Sequence, residues 1–157
     1  MTDLRDCLDP KLIGEFGKRV SFLLADVESL PFRNKTFDRV IVTCLMHHLD
    51  DPFLAFQELR RVAKNGGKIS VLLPNDPGIM YRFLRSLTTS RRAKRANLSR
   101  ESNFIHALEH RNHFLQLRVL LKEVFINDII KVRAFPFKYP LYNIKAITCF
   151  HITKISG

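Results

Sequence analysis

Short apolar runs alternate with a helical pattern between residues 20 and 73. Three runs, residues 20–25, Phe37–Thr43 and residues 68–73, are rich in Val, Ile, Leu and Phe and are bounded by charged or turn residues. Such runs are typical of strands buried on both faces. Residues 50–52, Asp-Asp-Pro, predict the start of a helix between the second and third run, with a capping carboxylate followed by a first-turn proline. Strands that alternate with helices predict an α/β fold with a mostly parallel sheet and a ligand site at the carboxyl ends of its strands.

The helix after residue 51 has one apolar side. Phe53, Phe56, Leu59 and Val62 recur at helical spacing and predict a buried face. Residues 64–67, Lys-Asn-Gly-Gly, predict its end, because Asn and Gly tolerate a left-handed backbone.

The second half of the chain predicts two more helices and a hairpin. Residues 79–87 have the pattern of an amphipathic helix, and residues 109–113 open another whose apolar face lies within residues 114–124. Residues 128–137 and 142–155 read as two long strands, and residues 138–141 as their hairpin connection. The sheet is therefore expected to end in an antiparallel hairpin.

Composition limits the class of protein. A chain of 157 residues with 46% hydrophobic residues is one domain by size and can bury a core. No apolar stretch has the length of a membrane span and no signal-peptide pattern is seen. The three cysteines lie far apart, so neither a disulfide framework nor a metal site is expected, and the sequence predicts a reducing, cytoplasmic setting. The net charge of +11 favours an anionic partner without saying which kind.

Four blocks of sequence resemble a known family. Residues 25–32 (ADVESLPF), 36–43 (TFDRVIVT), 47–49 (HHL) and 59–67 (LRRVAKNGG) look like the middle of a class I S-adenosylmethionine-dependent methyltransferase, closest to the small-molecule and lipid-type branch called type 11. The resemblance implies a Rossmann-like fold, S-adenosylmethionine as cofactor, and methyl transfer to a small-molecule or lipid-type acceptor.

The resemblance also implies cofactor-binding positions. Asp26 follows an apolar strand, where the family accepts the adenine amine on a carboxylate and meets a ring nitrogen with the next N–H. The alternative is that Asp26 is an ordinary turn aspartate whose side chain caps the backbone. Asp3 falls where a second strand would end on the ribose hydroxyls, or else it is a solvated aspartate of a frayed terminus. The full set of cofactor candidates is Asp3, Asp26, Val27, Thr43, Cys44 and Leu45.

The family's glycine-rich loop is missing from this sequence. The six glycines give no G-x-G arrangement, and the strand that carries the loop lies centrally in the family's sheet. We therefore interpret residues 1–157 as a single methyltransferase domain that is incomplete at its N-terminal side, with impaired cofactor binding as one consequence. A missing N-terminal segment or an oligomeric partner would complete the sheet. The alternative is a natural short form.

Two groups of residues are candidates for the substrate side. His47 and His48 follow the second strand; two adjacent histidines do not make a metal site, but one of them is a candidate general base or substrate contact, the alternative being packing. The second group is the polar cluster at residues 109–113, whose charged and polar side chains are costly to bury without partners. The substrate-side candidates are His48, His110, Arg111, Asn112 and His113; no single catalytic residue is nominated.

A basic stretch sits between these groups. Residues 82–100 contain seven Arg or Lys residues and no acidic residue, within an expected insertion or lid at about residues 76–108. It reads first as a mobile lid, second as a surface for an anionic substrate or membrane, and third as a nucleic-acid surface. Two other functions therefore stay open: a non-catalytic methyltransferase-like binding module, and a basic nucleic-acid-binding domain.

Overall fold

The computed structural model describes residues 21, 23–88, 98, 104, 111–136 and 144–155. The expected connection at residues 138–141 and most of the expected lid lie outside the described residues. The elements in chain order are β1 (Phe37–Thr43), a 3-10 turn (Met46–His48), α1 (Pro52–Val62), β2 (Ala63–Pro74), α2 (Ile79–Leu87), α3 (Phe114–Val124), β3 (Ile129–Phe135) and β4 (Ile147–Thr153).

The described strands form one four-stranded mixed sheet in the order β1-β2-β4-β3. β1 and β2 run parallel, while β4 is antiparallel to both β2 and β3. The α/β class and the C-terminal antiparallel hairpin are therefore confirmed. The sheet is less parallel than the sequence predicted, because one of the three pairings between described strands is parallel and two are antiparallel.

The strand expected at residues 20–25 is the main correction. Residue 21 and residues 23–26 have no regular secondary structure, and the side chains of Leu23 and Leu24 are 59% and 70% exposed. An apolar run becomes a strand only where a neighbouring strand pairs with its N–H and C=O groups. No described strand pairs with this segment, so the apolar pattern alone gave the wrong prediction.

The helix α1 begins where the sequence predicted. Asp51 is its N-cap and accepts a hydrogen bond from the Leu54 N–H at 3.0 Å, with Pro52 in the first turn. The buried face is shifted from the prediction, since Ala55 is fully buried whereas Phe53 is 36% exposed.

The strand β2 starts earlier than expected, directly after α1. Residues 64–67 are part of β2 rather than a separate turn, and the register against β1 shifts between Phe37 and Arg39. Gly66 has the left-handed φ of 76° that the sequence predicted for this stretch. A Cβ atom on Gly67 would meet the Lys64 carbonyl oxygen at 2.7 Å, so both glycines fit the irregular start of this strand.

The core lies between the sheet and two helices. Buried side chains of α1, α3 and the strands form one cluster, in which the rings of Phe56 and Phe125 meet edge to face with centroids 6.4 Å apart. In α3, Phe114, Leu117 and Leu121 are buried, as its helical pattern predicted. This core holds the carboxyl ends of β1 and β2 against the start of α3.

Candidate functional site

The chain turns sharply where β1 leaves the sheet. Cys44 has a left-handed φ of 50°, and its N–H donates to the Leu72 carbonyl of β2 at 3.1 Å. Thr43, Cys44 and Leu45, three cofactor candidates, are exposed at this end. Although Cys44 is exposed, its thiol is partly desolvated, and this desolvation raises the pKa of the thiol, so the thiol stays protonated at neutral pH and is a poor nucleophile.

The predicted substrate-side segment is attached to the same end of the sheet. The N–H groups of Arg111 and Asn112 both donate to the His47 carbonyl, at 3.0 and 3.3 Å. The Asn112 side-chain amide donates to the Leu49 carbonyl at 2.7 Å, and the Phe114 N–H donates to the Asp76 carbonyl at 3.2 Å. Residues from β1, β2 and α3 therefore converge at one edge, although the paired residues lie about 40 to 65 positions apart in the sequence.

The side chains at this edge have different roles. The imidazoles of His48 and His113 and the Arg111 guanidinium are exposed to solvent. Arg111 pairs with Asp50, which leaves its other N–H groups for further acceptors. The Asn112 amide is engaged with backbone carbonyls, so its part here is to position the loop. His47 is buried, with its ring centroid 3.9 Å from that of His48.

The loop that contains Asp26 is held in place by its own turn and by α1. One Asp26 carboxylate oxygen accepts from the Glu28 N–H at 2.9 Å, the geometry of the turn-aspartate alternative. The Glu28 carboxylate accepts from the Asp51 N–H at 2.9 Å, and the half-buried Val27 packs against the core. Asp26 is exposed, and a carboxylate has room for further donors.

An ion pair in α1 clamps the rest of this loop. The Glu58 carboxylate accepts from the Leu30 N–H at 2.8 Å, and the Arg61 guanidinium donates to the carbonyls of Leu30 and Phe32 at 2.9 and 2.7 Å. The hydrogen bond from Arg61 holds the pKa of the Glu58 carboxyl below its ordinary value, and the same contact raises the pKa of Arg61.

A mostly apolar cleft of about 400 Å³ lies between this loop and β1. Its walls include Val27 and Leu45, two cofactor candidates, together with Leu23 and Ile41. An aromatic ring system fits such walls, because ligand pockets combine apolar faces with a few polar groups at their margins. The structure therefore brings two of the proposed cofactor residues to one cleft.

Two residues of this edge were not singled out from the sequence. Asn75 is fully buried after β2; its carbonyl-type oxygen accepts from the Thr148 hydroxyl at 2.8 Å, while its NH2 group has no hydrogen-bond partner among the described residues. Asp76 is 9% exposed. Both follow a buried strand directly, which is the signal that drew attention to Asp26.

The remaining candidates lie elsewhere. Asp3 and His110 are outside the described residues. Within the described ranges, no three His, Cys, Asp or Glu side chains are grouped so that they could hold a metal ion.

The comparisons with known proteins show a likeness to methyltransferases in sequence and in fold. Residues 7–71 match the family model described as "Methyltransferase domain". A SAM-dependent methyltransferase from Thermotoga maritima has a similar fold, with a TM-score of 0.55 and 19% identity over 92% of this chain and 70% of that one. The (4+2)-cyclase SpnF aligns with a TM-score of 0.61 and 14% identity over 98% of this chain and 61% of that one.

A curated relative agrees with this class. The ubiquinone/menaquinone biosynthesis C-methyltransferase UbiE of Coxiella burnetii is 34% identical over 55 residues, which are 35% of this chain and 22% of that protein. The resemblance to class I S-adenosylmethionine-dependent methyltransferases is thereby confirmed, in sequence over residues 7–71 and in fold over most of the chain. The chain spans about a fifth of the length of this relative.

Proposed function

We propose that these residues belong to an enzyme that transfers a methyl group from S-adenosylmethionine to a small-molecule or lipid-type acceptor. The observation that carries the proposal is the convergence of the end of β1, the end of β2 and residues 111–113 at one edge of a methyltransferase-like sheet. Ligands of open α/β sheets bind at the carboxyl ends of their strands.

The cofactor side of the proposed site is the cleft beside β1. Val27 and Leu45 offer apolar contacts to an adenine ring. Asp26, which is exposed next to Val27, offers a carboxylate oxygen to the adenine amine. Thr43 and Cys44 border the same end of β1. When bound, the cofactor supplies an electrophilic methyl group on a sulfonium. Asp3 remains part of this proposal as a ribose contact.

The residues of this chain then have to align the acceptor and manage its proton. Alignment alone contributes several kcal/mol to such a displacement, of the order of 7 kcal/mol or more when the geometry is near attack. His48 and His113 are exposed imidazoles suited to removing a proton from a hydroxyl acceptor. Arg111 carries exposed N–H groups suited to oxygens of the methyl acceptor, and His110 and Asn112 stay substrate-side candidates.

The proposal is tested with methyl-labelled S-adenosylmethionine and fractionated small-molecule and lipid extracts. We expect the labelled methyl group to enter an organic acceptor when the unmodified chain is present. We expect no labelling of that acceptor with Asp26→Ala. Asp38→Ala is the matched control, because Asp38 is exposed on β1 and pairs with Lys64. If Asp26→Ala labels the acceptor as well as the unmodified chain does, the assignment of this loop is wrong.

A non-catalytic binding module is the second candidate. The missing G-x-G arrangement favours it, because backbone N–H groups of such a loop normally hold the cofactor's carboxylate end. A similar fold in the (4+2)-cyclase SpnF illustrates that the fold does not fix the reaction. Binding of S-adenosylhomocysteine without any label transfer would favour this second candidate.

We also propose that the sheet continues beyond β1 in the working protein. Among the described strands β1 pairs with β2 alone, and Ile41 in β1 is 63% exposed. An open apolar edge is normally paired or covered. A further segment of the protein or an oligomeric partner fits this edge, and it would fill the part of the cleft beside Leu23 and Ile41 while leaving Val27 and Leu45, at the end of β1, to the cofactor. Native mass spectrometry with hydrogen exchange tests this: a cooperative monomer of 157 residues with a protected β1 would contradict it.

A further inference from the structure

The helix α2 has one broad apolar face, and part of it is open to solvent. Within this face Met80 and Leu84 are half-buried. The neighbouring Ile79, Phe83 and Leu87 are 67%, 56% and 36% exposed. They are spaced four residues apart, so they form one outward stripe along the helix. Such a stripe on a solvent-facing helix is a candidate interaction surface.

The sequence from α2 onward is basic. Arg82 is exposed at the polar margin of this face, about 60° around the helix from Ile79, and residues 82–100 carry seven basic and no acidic residues. The whole chain has a net charge of +11. Apolar side chains flanked by cations are complementary to one kind of surface, a bilayer that contains anionic lipids. We propose that α2 docks this protein on an anionic lipid surface.

The dimensions of α2 suit a helix that lies in the interface. Nine residues extend about 13 Å, and no helix in the described part of the chain is long and apolar enough to cross a membrane. The outward stripe inserts between lipid head groups, while Arg82 reaches lipid phosphates. A nucleic-acid surface fits less well, because it calls for aromatic side chains interleaved with the cations for stacking.

The position of α2 gives this docking a consequence for the candidate site. The Gly78 N–H at the start of α2 donates to the Asn75 carbonyl at 2.6 Å, so the helix begins at the edge where β2 ends. A docked α2 therefore brings that edge to the lipid surface, from which a lipid-type acceptor can enter. The docking itself does not depend on methyl transfer and is testable separately.

The first test uses Phe83→Trp as a reporter in the full chain. The sequence contains no tryptophan, so the emission comes from this single position. We expect a blue shift when vesicles of equimolar phosphatidylglycerol and phosphatidylcholine are added, and little change with phosphatidylcholine alone. An emission that does not move with anionic vesicles overturns the proposal.

The second test measures binding of the full chain to the same vesicles by flotation. Ile79→Ser combined with Phe83→Ser should weaken binding about tenfold or more, because two inserted apolar side chains are lost. The matched control combines Val119→Ser with Ile126→Ser, whose side chains are 64% and 68% exposed on another part of the surface; it should bind as the unmodified chain does.

Two results would overturn the proposal. One is an equal loss of vesicle binding in the test and control variants, which would indicate non-specific hydrophobic adsorption. The other is tight, salt-sensitive binding of an oligonucleotide together with vesicle binding that the stripe substitutions leave unchanged. That result would assign the basic stretch to nucleic acid. Matching thermal midpoints of the variants show that they are folded.

Discussion

At the residue scale, the start of α1 depends on one carboxylate. Asp51 satisfies the Leu54 N–H, which has no partner within the helix. Because the Asp51 N–H also donates to the Glu28 carboxylate in the loop of Asp26, fraying at this end reaches the candidate site.

Replacing Asp51 by alanine should lower the free energy of unfolding by about 1 kcal/mol, because the cap is lost. Asp51→Asn should keep most of the stability, since asparagine caps equally well. Urea denaturation measures the effect. Asp50→Ala is the control; the Asp50–Arg111 pair is exposed and should contribute less than about 0.5 kcal/mol. An equal loss in both alanine variants would contradict the assignment of Asp51 as the cap.

The sequence predicted correctly those features that depend only on a few neighbouring residues. The Asp-Pro start of α1 and the left-handed Gly66 were both predicted, because each depends on a few neighbouring residues. Phe53 was misplaced for a geometric reason: it lies about 60° around the helix from Phe56, at the margin of the buried face, where tertiary packing decides exposure.

At the element scale, the loop of residues 26–32 is fixed to α1 by the Glu58–Arg61 pair. The contacts join side chains of α1 to backbone groups about 30 positions earlier. Periodicity cannot reveal such contacts, because they depend on which elements become neighbours. The same holds for Asn112, whose carbonyl partners lie more than 60 positions away.

The loop contacts predict a pH-dependent stability. The pKa of the Glu58 carboxyl is lowered from its ordinary 4.5, chiefly by its hydrogen bond with Arg61. Its contribution is therefore complete above about pH 4.5 and is lost as the pH falls through the lower folded-state pKa. Glu58→Gln should be less stable than the unmodified chain at neutral pH, by about 1 kcal/mol, and the difference should shrink in acid.

Thermal unfolding between neutral pH and about pH 3 measures this dependence. Glu123→Gln is the matched control, because Glu123 is exposed on α3, and it should follow the unmodified chain at every pH. A difference between Glu58→Gln and the unmodified chain that stays constant down to the lowest pH would contradict the role given to the charge.

At the scale of the whole molecule, the sequence predicted the α/β class and the terminal hairpin, but not the state of residues 20–25. Strand formation there needs a neighbour in the sheet, and an apolar pattern does not report whether one is present. The convergence of β1, β2 and residues 111–113 was foreseen only in outline, from the rule that ligands bind at strand ends. The burial of Asn75 and Asp76 at that edge was not foreseen.

The most direct test of the central claim is calorimetric titration of the chain with S-adenosylhomocysteine. The proposed site predicts saturable binding that Asp38→Ala leaves unchanged and Asp26→Ala weakens about ten- to a hundredfold, the effect of one lost hydrogen bond to a charged group. No saturable heat with the folded chain, or equal affinity in Asp26→Ala, would contradict the claim that this edge of the sheet holds the cofactor.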